Sequence, residues 1–496
     1  MFRFRSIILC LLVSFCFSVV VKGKPNIILF LTDDQGWTDT SVAMMKGRND
    51  SKSDYYQTPA LEQMAKDGMV FSAAYSPAPT CTPTRTSLQF GKSPARLRQT
   101  VVHDVLAKQN GYHCNDEITM GQMIKNIDPD YITAHFGKWG IDVARNPGKL
   151  GYDVTDGDTN NGEGDWLVHM ETPLPEDDPK RIFSVTRRAN AFMASQVKAG
   201  KPFFMQISHY AVHVSSFALP ETIEKYKKLP RGMKCNDSDY RHPYPSRNSW
   251  MMNYAAMVED LDSSLGMIRN KIESLGIKDD TIVIFMSDNG GGFRDNMPLK
   301  GGKANLWEGG LRVPMVVSGP GVLKHSYCDV PVVGWDLYNT FSELAGNTSR
   351  LSDVYDGGSL CDLFYKGNEG VVKRGTQPLI FHFPWYAGAL PMSTIRDGDH
   401  KLVVNLLNNE YRLYNLAHDI GESRDISKAY PEITKTLYKK LSKYLDEVDA
   451  EDLGAMYDAR IKELQRFITK DAGNPEALKR HRDGLAQVAR SRKQTW

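Results

Sequence analysis

Short apolar runs alternate with amphipathic segments along most of this chain. The apolar runs have the length and composition of buried strands, and they are Asn26–Leu31, Ile132–Phe136, Phe203–Ser208, Thr281–Met286 and Pro314–Ser318. The amphipathic segments predict helices over Pro59–Lys66, Leu261–Leu275 and Asp336–Leu344. This alternation predicts an α/β fold with a mainly parallel central sheet that helices cover on both faces.

The first predicted helix carries its own start and stop signals. Pro59 fits the first turn, where a missing N–H costs nothing, and Gly68 is expected to end the helix. Thr58 stands at the position of an N-cap, so we expect its side chain to accept a hydrogen bond from the first turn.

The pattern changes near Pro391. Short strand-like pieces separated by hairpin-type breaks predict a small antiparallel sheet, and they are Thr394–Ile395, Lys401–Val404 and Tyr411–Tyr414. Charged helices are predicted over Pro431–Asp449 and Asp452–Lys470, and a basic helical tail over Lys479–Trp496. We therefore divide the chain into residues 24–380 and a smaller C-terminal subdomain with its tail, residues 381–496, which packs on the first part.

The chain begins like an exported protein. Arg3 and Arg5 precede an apolar run over Ile7–Val21, and Val21 and Gly23 suit a signal-peptidase site. Residues 1–23 are thus predicted to be a signal peptide removed near Gly23, and the protein to be secreted or periplasmic. No later run is long enough for a membrane span. The formal net charge of only +2 gives no support for nucleic-acid binding.

Four cysteines outside the leader have no evident chemistry: Cys114, Cys235, Cys328 and Cys361. An exported protein can pair them in disulfides, and three pairings are possible. Buried free thiols are the alternative, and the sequence does not choose between the two.

Acidic residues follow two of the predicted strands directly. Asp33 and Asp34 come after the first strand, and Asp288 and Asn289 come after Thr281–Met286. If these strands are parallel neighbours, the four side chains meet at the carboxyl edge of the sheet, where α/β proteins bind ligands. Crowded carboxylates need a cation, and an all-oxygen set suits calcium or magnesium. The local alternative is a helix cap and an ordinary Ser-Asp-Asn-Gly turn.

Cys81 stands at the start of another predicted helix. Pro83 fits the first turn of that helix, so Cys81 lies where free N–H groups and the helix dipole favour anions. Arg85, one turn further on, can bind the same anion with its planar guanidinium. A thiolate nucleophile beside an oxyanion site is the first interpretation.

These residues resemble the signature of the sulfatase family. Cys81-x-Pro83-x-Arg85 resembles the element in which the cysteine is oxidised to formylglycine. Further segments resemble family motifs in the same order along the chain: Asn26–Gly36, Thr58–Gly68, Phe136–Trp139, Tyr210–His213, Ser287–Gly290, Lys300–Lys303, Glu308–Pro314, Tyr411–Tyr414 and Asp419–Glu422. The matches span residues 25–430, so the resemblance covers most of the chain.

The resemblance implies an alkaline-phosphatase-like fold and a calcium-dependent sulfatase. One Ca²⁺ would be held by Asp33, Asp34, Asp288, Asn289 and the modified Cys81, and a formylglycine-generating enzyme would carry out the modification. Arg85, Lys138 and Lys303 would hold the sulfate oxygens, and His213 would protonate the leaving group.

One position departs from the family pattern. Many sulfatases have a histidine two residues after the lysine that corresponds to Lys138, and this chain has Gly140. That histidine assists proton removal from the formylglycine, so the base of the second step is open. His209, His135, a residue of the acidic segment Asp153–Asp165, or water are the alternatives.

A sulfated poly- or oligosaccharide is the expected substrate, because aromatic and polar residues suited to a sugar site lie in the predicted loops. They are Trp166, His169, Tyr240–Trp250 and His382–Trp385. Two other functions stay open. One is a phosphoester or phosphonate monoester hydrolase with the same fold, and the other is an inactive relative that binds sulfated glycans.

Overall fold

The computed structural model describes residues 24–102, 117–164, 175–230, 247–292, 296–385 and 390–470, together with a few single residues beyond. Several sequence-based predictions concern residues outside this set. They are the signal peptide at 1–23, Cys114, Cys235, Asp165, Trp166, His169, the side chains of 240–250, and most of the tail from Lys479.

A large sheet forms the centre of the first part of the chain. The strands of this part are β1 (Asn26–Thr32), β2 (Gly68–Phe71), β3 (Ala74–Tyr75), β4 (Ile132–Gly137), β5 (Val154–Thr155), β6 (Phe203–Ser208), β7 (Thr281–Ser287), β8 (Met315–Ser318), β9 (Ser326–Cys328) and β10 (Val332–Val333). The order in the large sheet is β5-β4-β6-β1-β7-β8-β2-β9, while β3 and β10 form a separate pair.

Five neighbouring strands are parallel to one another: β5, β4, β6, β1 and β7. Strand β8 is antiparallel to both of its neighbours, β7 and β2. The predicted α/β fold with a mainly parallel sheet is therefore confirmed.

The helices of this part are α1 (Pro59–Asp67), α2 (Cys81–Phe90), α3 (Pro94–Leu97), α4 (Met120–Ile127), α5 (Asn161–Gly164), α6 (Ile182–Ala199), α7 (Pro220–Lys228), α8 (Arg247–Ser274), α9 (Glu308–Leu311), α10 (Asp336–Leu344) and α11 (Cys361–Lys366). These helices cover both faces of the sheet, as the side chains of β1 illustrate. Ile28 and Phe30 pack in one hydrophobic cluster with α1, α6 and α8, while Ile27 and Leu29 pack in another with α2, α4 and α10. Successive side chains of a strand point to opposite faces, so a strand buried on both sides has a continuous apolar sequence.

The predicted N-cap of α1 is wrong. Pro59 does begin the helix, but the Thr58 side chain accepts no hydrogen bond from it. Asp262 of α8 takes that place, since its two carboxylate oxygens accept from the backbone N–H groups of Ala60 and Leu61 at 2.8 and 2.9 Å. A carboxyl group offers two acceptor oxygens to the unpaired N–H groups at a helix start, whereas a hydroxyl offers one. Thr58 instead accepts from Ser41 N at 2.9 Å.

The C-terminal part is built on a four-stranded antiparallel sheet. Its strands are β11 (Leu379–Phe383), β12 (Met392–Asp397), β13 (His400–Asn405) and β14 (Tyr411–Asn415), in that order, and α12 (Pro431–Glu447) and α13 (Leu453–Lys470) follow. The predicted small sheet is confirmed, although the sequence did not reveal β11. A shared hydrophobic cluster, which includes Tyr75, Trp335, Phe381 and Val403, joins this sheet to the first part. A division at residue 380 stays a prediction.

The position of His382 corrects one expectation about the sugar site. His382 lies in β11 and is buried. Its Nδ1 is 2.7 Å from Ser393 Oγ and its Nε2 is 2.8 Å from the Glu451 carbonyl oxygen. Both ring nitrogens are therefore used inside the C-terminal part, so His382 does not line a sugar site.

The sequence left open whether four cysteines form disulfides, and the structure describes two of them, Cys328 and Cys361. Both are buried free thiols and do not pair with each other. Burial raises the pKa of Cys328 to about 11 and that of Cys361 to about 12. Both therefore stay protonated and unreactive at neutral pH. As for membranes, the helices within the described ranges all fall short of the length and hydrophobicity that a bilayer span requires.

A buried ionic cluster connects the two parts. Lys401 of β13 places its Nζ 2.9 Å from Glu308 Oε1 and 2.8 Å from Glu422 Oε1. Glu308 also accepts hydrogen bonds from Tyr75 and Arg312, both at 2.7 Å. Burial raises the pKa of Glu422 to about 7, whereas Lys401 and Arg312 outweigh burial at Glu308 and keep its pKa low. The buried Lys401 ammonium thus pairs with two carboxylates, Glu308 from the first part of the chain and Glu422 from the C-terminal part.

We predict that Lys401→Met lowers the free energy of unfolding by about 3–5 kcal/mol, because it leaves two buried carboxylates without their shared cation. Lys440→Met is the matched control: it removes an exposed partner of Asp397 on the same subdomain and is expected to cost less than about 1 kcal/mol. Urea unfolding of both variants measures the difference. Equal losses in the two variants would contradict the role of the ionic cluster.

Candidate active site

The predicted acidic residues meet at the carboxyl edge of the large sheet. Strands β1 and β7 are parallel neighbours, and Thr32 pairs with Ser287 at their ends. Asp33, Asp34 and Asp288 follow directly, are at most 2% exposed, and each offers an oxygen within 4.8 Å of the others. Asn289 joins them through its Nδ2, which donates to Asp34 Oδ1 at 2.8 Å. The expectation that these strand ends converge therefore matches the structure.

The backbone holds this acidic cluster in place. Asp34 adopts a left-handed conformation with φ of 62°, and its N–H donates to Asp288 Oδ1 at 3.1 Å. Gln35 N donates to Ser287 Oγ at 2.9 Å. These bonds tie the turn after β1 to the turn after β7, so the two acidic segments have a fixed mutual position.

Cys81 is the first residue of α2, as the sequence predicts. Thr80 before it is extended, and its side chain makes no capping hydrogen bond to the helix. The first N–H groups of α2 therefore have no side-chain cap from Thr80, and such groups are suited to an anion. Cys81 is 4% exposed and all ten residues of α2 are buried.

Three basic side chains surround the acidic cluster. Arg85 donates from Nε to Asp288 Oδ2 at 2.9 Å and from Nη1 to the Lys138 carbonyl oxygen at 2.6 Å. Lys138 Nζ contacts Asp33 Oδ2. Lys303 Nζ lies 2.7 Å from one oxygen of Asp34 and 2.8 Å from the other. Each cation thus faces a different carboxylate of the acidic cluster.

The charges of this site shift one another's pKa values. Burial opposes the ionisation of Asp33, yet Lys138 and the other nearby cations hold the pKa of Asp33 well below its usual range. Burial, aided by the charge on Asp33, raises the pKa of Asp288 to about 6. Burial also disfavours charged lysines, but the pKa values of Lys138 and Lys303 are raised because carboxylates face them. The site is a dense set of opposed charges away from bulk water.

The acidic cluster fits a hard divalent cation. Asp33 Oδ1 and Asn289 Oδ1 are buried, and neither has a hydrogen-bond partner among the described residues. Buried oxygens without partners are costly unless something else satisfies them. Carboxylate and amide oxygens are the ligands that calcium and magnesium prefer. Asp33, Asp34, Asp288 and Asn289 together supply such a set.

His213 lies at the edge of the site. Its Nε2 is 3.8 Å from Asp34 Oδ2, and its side chain is 15% exposed, compared with 1% for Arg85 and Lys138. Its Nδ1 is 2.7 Å from the Val214 carbonyl oxygen. Since a carbonyl can only accept, Nδ1 carries a proton, and Nε2 is the nitrogen that exchanges one.

The two other candidate histidines are buried and pack against aromatic rings. His209 is buried, with Nε2 3.1 Å from Ser264 Oγ and its ring 4.8 Å from that of Phe30. The His135 ring packs against Trp139 at 5.0 Å. Burial lowers the pKa of each to about 3, and the charge of Arg85 adds to the effect at His135. Both rings are therefore neutral at physiological pH.

Gly140, which stands where a histidine was expected, has a left-handed backbone with φ of 67°. A β-carbon there would lie 3.1 Å from Arg85 Cδ and 3.3 Å from Lys138 Cε. A side chain at this position would therefore be strained by the backbone and would press on two basic residues of the site. The local geometry accounts for glycine.

The acidic segment Asp153–Asp165 is held by ion pairs where it is described. Asp153 pairs with Lys125, and Asp156 forms a two-point contact with Arg188 at 2.9 and 2.7 Å. Asp156 also accepts from Gly137 N at 2.8 Å. These two aspartates hold the segment beside the strand end that carries Lys138. In the sequence, the acidic residues are the conspicuous feature of this loop. Nothing in the sequence pattern points to Thr159, although its hydroxyl contacts Gly137 and Trp139.

Comparisons with known proteins agree with this arrangement. The family model described as Sulfatase matches residues 25–347. A protein named Sulfatase from Formosa agariphila is 28% identical, and the match covers 82% of this chain and 85% of that protein. A protein named Ulvan-active sulfatase from the same organism is 24% identical, with coverages of 86% and 83%.

A solved structure shows the same similarity. The crystal structure of Ps i-CgsB is 25% identical in sequence, has a TM-score of 0.69, and covers 85% of this chain and 93% of that one. It has also been solved in complex with k-i-k-neocarrahexaose. A family match over most of the chain, together with the fold, leads to one conclusion: the chain belongs to the sulfatase family, whose members are enzymes that hydrolyse sulfate esters.

Proposed function

We propose that this protein hydrolyses sulfate esters of a poly- or oligosaccharide, with a formylglycine made from Cys81 as nucleophile and Ca²⁺ as metal. One observation carries the proposal: Cys81 begins a buried helix, and Arg85 of that helix joins Lys138 and Lys303 around the acidic cluster. A nucleophile position on the helix that supplies one of three converging cations suits a substrate with a compact anionic group.

Asp33, Asp34, Asp288 and Asn289 would hold the calcium ion, with the modified Cys81 as a further ligand. When bound, the ion supplies Lewis-acid polarisation of a sulfate oxygen and of the nucleophile. The formylglycine supplies an oxygen nucleophile that a thiol cannot. We infer calcium rather than magnesium because Ca²⁺ accepts a ligand set made of protein oxygens, whereas Mg²⁺ usually keeps several of its waters.

The basic side chains bind and orient the sulfate group. Arg85 and Lys138 are 1% exposed and form the deep end of the site, whereas the Lys303 side chain is 13% exposed. Fixed by their carboxylate partners before substrate arrives, they are preorganised to stabilise the negative charge that develops in the transition state. The sulfate group therefore binds at the deep end of the site, and the alcohol part of the ester faces outward.

His213 is placed to handle the leaving group. It lies at the outer, partly exposed end of the site, and its Nδ1 is engaged by the Val214 carbonyl oxygen. Nε2 can therefore hold a proton at the side where the alcohol departs. A sugar alcohol is a poor leaving group, so protonation by His213 matters most for carbohydrate substrates.

The carbohydrate substrate is supported by similarity to proteins with polysaccharide-related names, the Ulvan-active sulfatase and the Ps i-CgsB complex with neocarrahexaose. Export is supported by the signal-peptide pattern of residues 1–23. An exported location also suits calcium and large extracellular substrates. A formylglycine-generating enzyme is the partner that maturation requires.

We predict that protein active on a sulfated polysaccharide carries an aldehyde in place of the Cys81 thiol, which mass spectrometry of the peptide containing Cys81 detects. Cys81→Ala is expected to abolish the release of inorganic sulfate, because no nucleophile remains. Cys361→Ala is the matched control, since it removes another buried thiol outside the site.

The same assay separates the alternative functions. A phosphate or phosphonate monoester that is hydrolysed faster than the matching sulfate ester would favour the phosphoester hydrolase. Binding of the sulfated glycan by aldehyde-bearing protein, without release of sulfate, would favour the inactive relative. An unmodified thiol in active protein would contradict the formylglycine proposal.

Removal of the metal is predicted to lower kcat/KM on the order of 10³-fold or more, because metal ions contribute several kcal/mol to charge stabilisation. Dialysis against a calcium chelator, followed by readdition of Ca²⁺, tests this. Asp34→Asn is expected to abolish calcium binding in calorimetry. Asp262→Asn, which alters a buried carboxylate at the start of α1, is expected to leave calcium binding unchanged. Full activity after chelation, with no metal retained, would contradict the metal site.

His213→Ala is predicted to lower kcat for a sugar sulfate by about 10²–10⁴-fold, the usual contribution of general acid catalysis. An aryl sulfate with an acidic phenol needs little protonation, so its kcat should fall much less. Each substrate is the control for the other. An equal loss with both substrates would show that His213 acts in some other way than as the acid for the leaving group.

A further inference from the structure

Thr159 forms hydrogen bonds to the residues on both sides of Lys138. Its Oγ1 donates to the Gly137 carbonyl oxygen at 2.5 Å and accepts from Trp139 N at 3.0 Å. Its own carbonyl oxygen accepts from Gly140 N at 2.9 Å. Three hydrogen bonds from one residue thus reach the residue before Lys138 and the two residues after it.

Two glycines flank Lys138 and Trp139 where the chain leaves β4. Gly137, the last residue of β4, and Gly140 both have left-handed backbones, with φ of 86° and 67°. Two glycines in four residues leave a flexible backbone, because glycine restricts φ and ψ least. External hydrogen bonds must therefore fix the direction in which Lys138 leaves the backbone.

Two further hydrogen bonds to the Lys138 backbone come from β6 and α2. Its N–H donates to the Ser208 carbonyl oxygen at 2.8 Å, and its carbonyl oxygen accepts from Arg85 at 2.6 Å. Thr159 acts from the opposite, outer side, where the segment Thr155–Thr159 is in turn held by the Asp156–Arg188 ion pair. The Lys138 backbone is thus held between the sheet and this outer turn.

We propose that Thr159 is a positioning residue for Lys138, and that its hydroxyl holds the Gly137–Gly140 segment so that the Lys138 ammonium meets the sulfate group. The inference rests on the proposed function, because Lys138 matters only if the site binds a sulfate ester. It concerns the part of the chain where the family pattern is broken, at Gly140. The outer turn supplies there the rigidity that the glycine removes.

Thr159→Val tests the proposal, because valine keeps the shape of threonine and loses the hydroxyl. In protein matured with a formylglycine-generating enzyme, kcat for an aryl sulfate should fall by about 10–100-fold, as expected for a catalytic group displaced by up to 1 Å. KM should change less than kcat, because positioning acts most strongly in the transition state. Thr159→Ser, which keeps the hydroxyl and both of its hydrogen bonds, should restore kcat to within about threefold of wild type.

Thr155→Val is the matched control. Thr155 is the last residue of β5, four positions before Thr159, and its hydroxyl accepts from Gly157 N at 3.1 Å. None of the hydrogen bonds of the Thr155 hydroxyl within the described ranges reaches the Gly137–Gly140 segment. The kcat of Thr155→Val should equal that of wild type. Calorimetric titration with inorganic sulfate gives a second readout, independent of turnover: sulfate should bind several-fold more weakly to Thr159→Val and unchanged to Thr155→Val. If Thr159→Val does not fold, Thr159→Ala removes the same hydroxyl and carries the same expectations.

A double-mutant cycle with Lys138→Met identifies the route of the effect. If Thr159 acts through Lys138, Thr159→Val should cause no further loss of kcat/KM in the Lys138→Met background. Wild-type kcat in Thr159→Val, equal impairment of the Ser and Val variants, or additive losses in the cycle would each overturn the inference. Wild-type protein that carries the aldehyde but releases no sulfate would instead overturn the proposed function.

Discussion

The repulsion among three buried carboxylates is the constraint on which the site depends. Asp33, Asp34 and Asp288 are brought together because β1 and β7 are parallel neighbours that end at the same edge. Like charges at such distances in a poorly solvated interior cannot persist without compensation. The placement of Arg85, Lys138 and Lys303, one opposite each carboxylate, follows from that requirement. The residues that suit the anionic substrate are therefore the residues that make the acidic cluster tolerable.

This shared use of charge links catalysis to the fold over long distances in sequence. The three cations come from α2, from the end of β4 and from the loop before α9. The loop that bears Lys303 runs into Glu308, which Lys401 of the C-terminal sheet holds from the far side. Lys300, in the same loop, stacks on Trp307 with its Nζ 3.6 Å from the ring centre. The C-terminal part thus supports the loop that carries Lys303, and it shares the hydrophobic cluster around Tyr75.

The sequence predicted those features in which one physical signal dominates. Continuous apolar runs identified β1, β4, β6 and β7, and their acidic ends located the site, because strand direction fixes where strand ends lie. Other features depend on partners that are remote in sequence. The cap of α1 comes from Asp262, some two hundred residues away, and the ring nitrogens of His382 find their partners in β12 and before α13. Thr159 acts mainly through backbone groups of another segment, and such contacts leave no residue pattern to detect.

The burial of α2 limits the stage at which another enzyme could reach Cys81. All ten residues of this helix are enclosed, and the Cys81 side chain is almost completely covered. A protein-sized modifying enzyme cannot grip a residue together with its neighbours when all of them are packed inside another protein. The proposed enzymatic conversion of Cys81 would therefore have to come before the surrounding sheet and helices close. On this proposal, synthesis, modification and folding are successive stages, and a chain that folds too early would be structurally complete but would lack the proposed nucleophile.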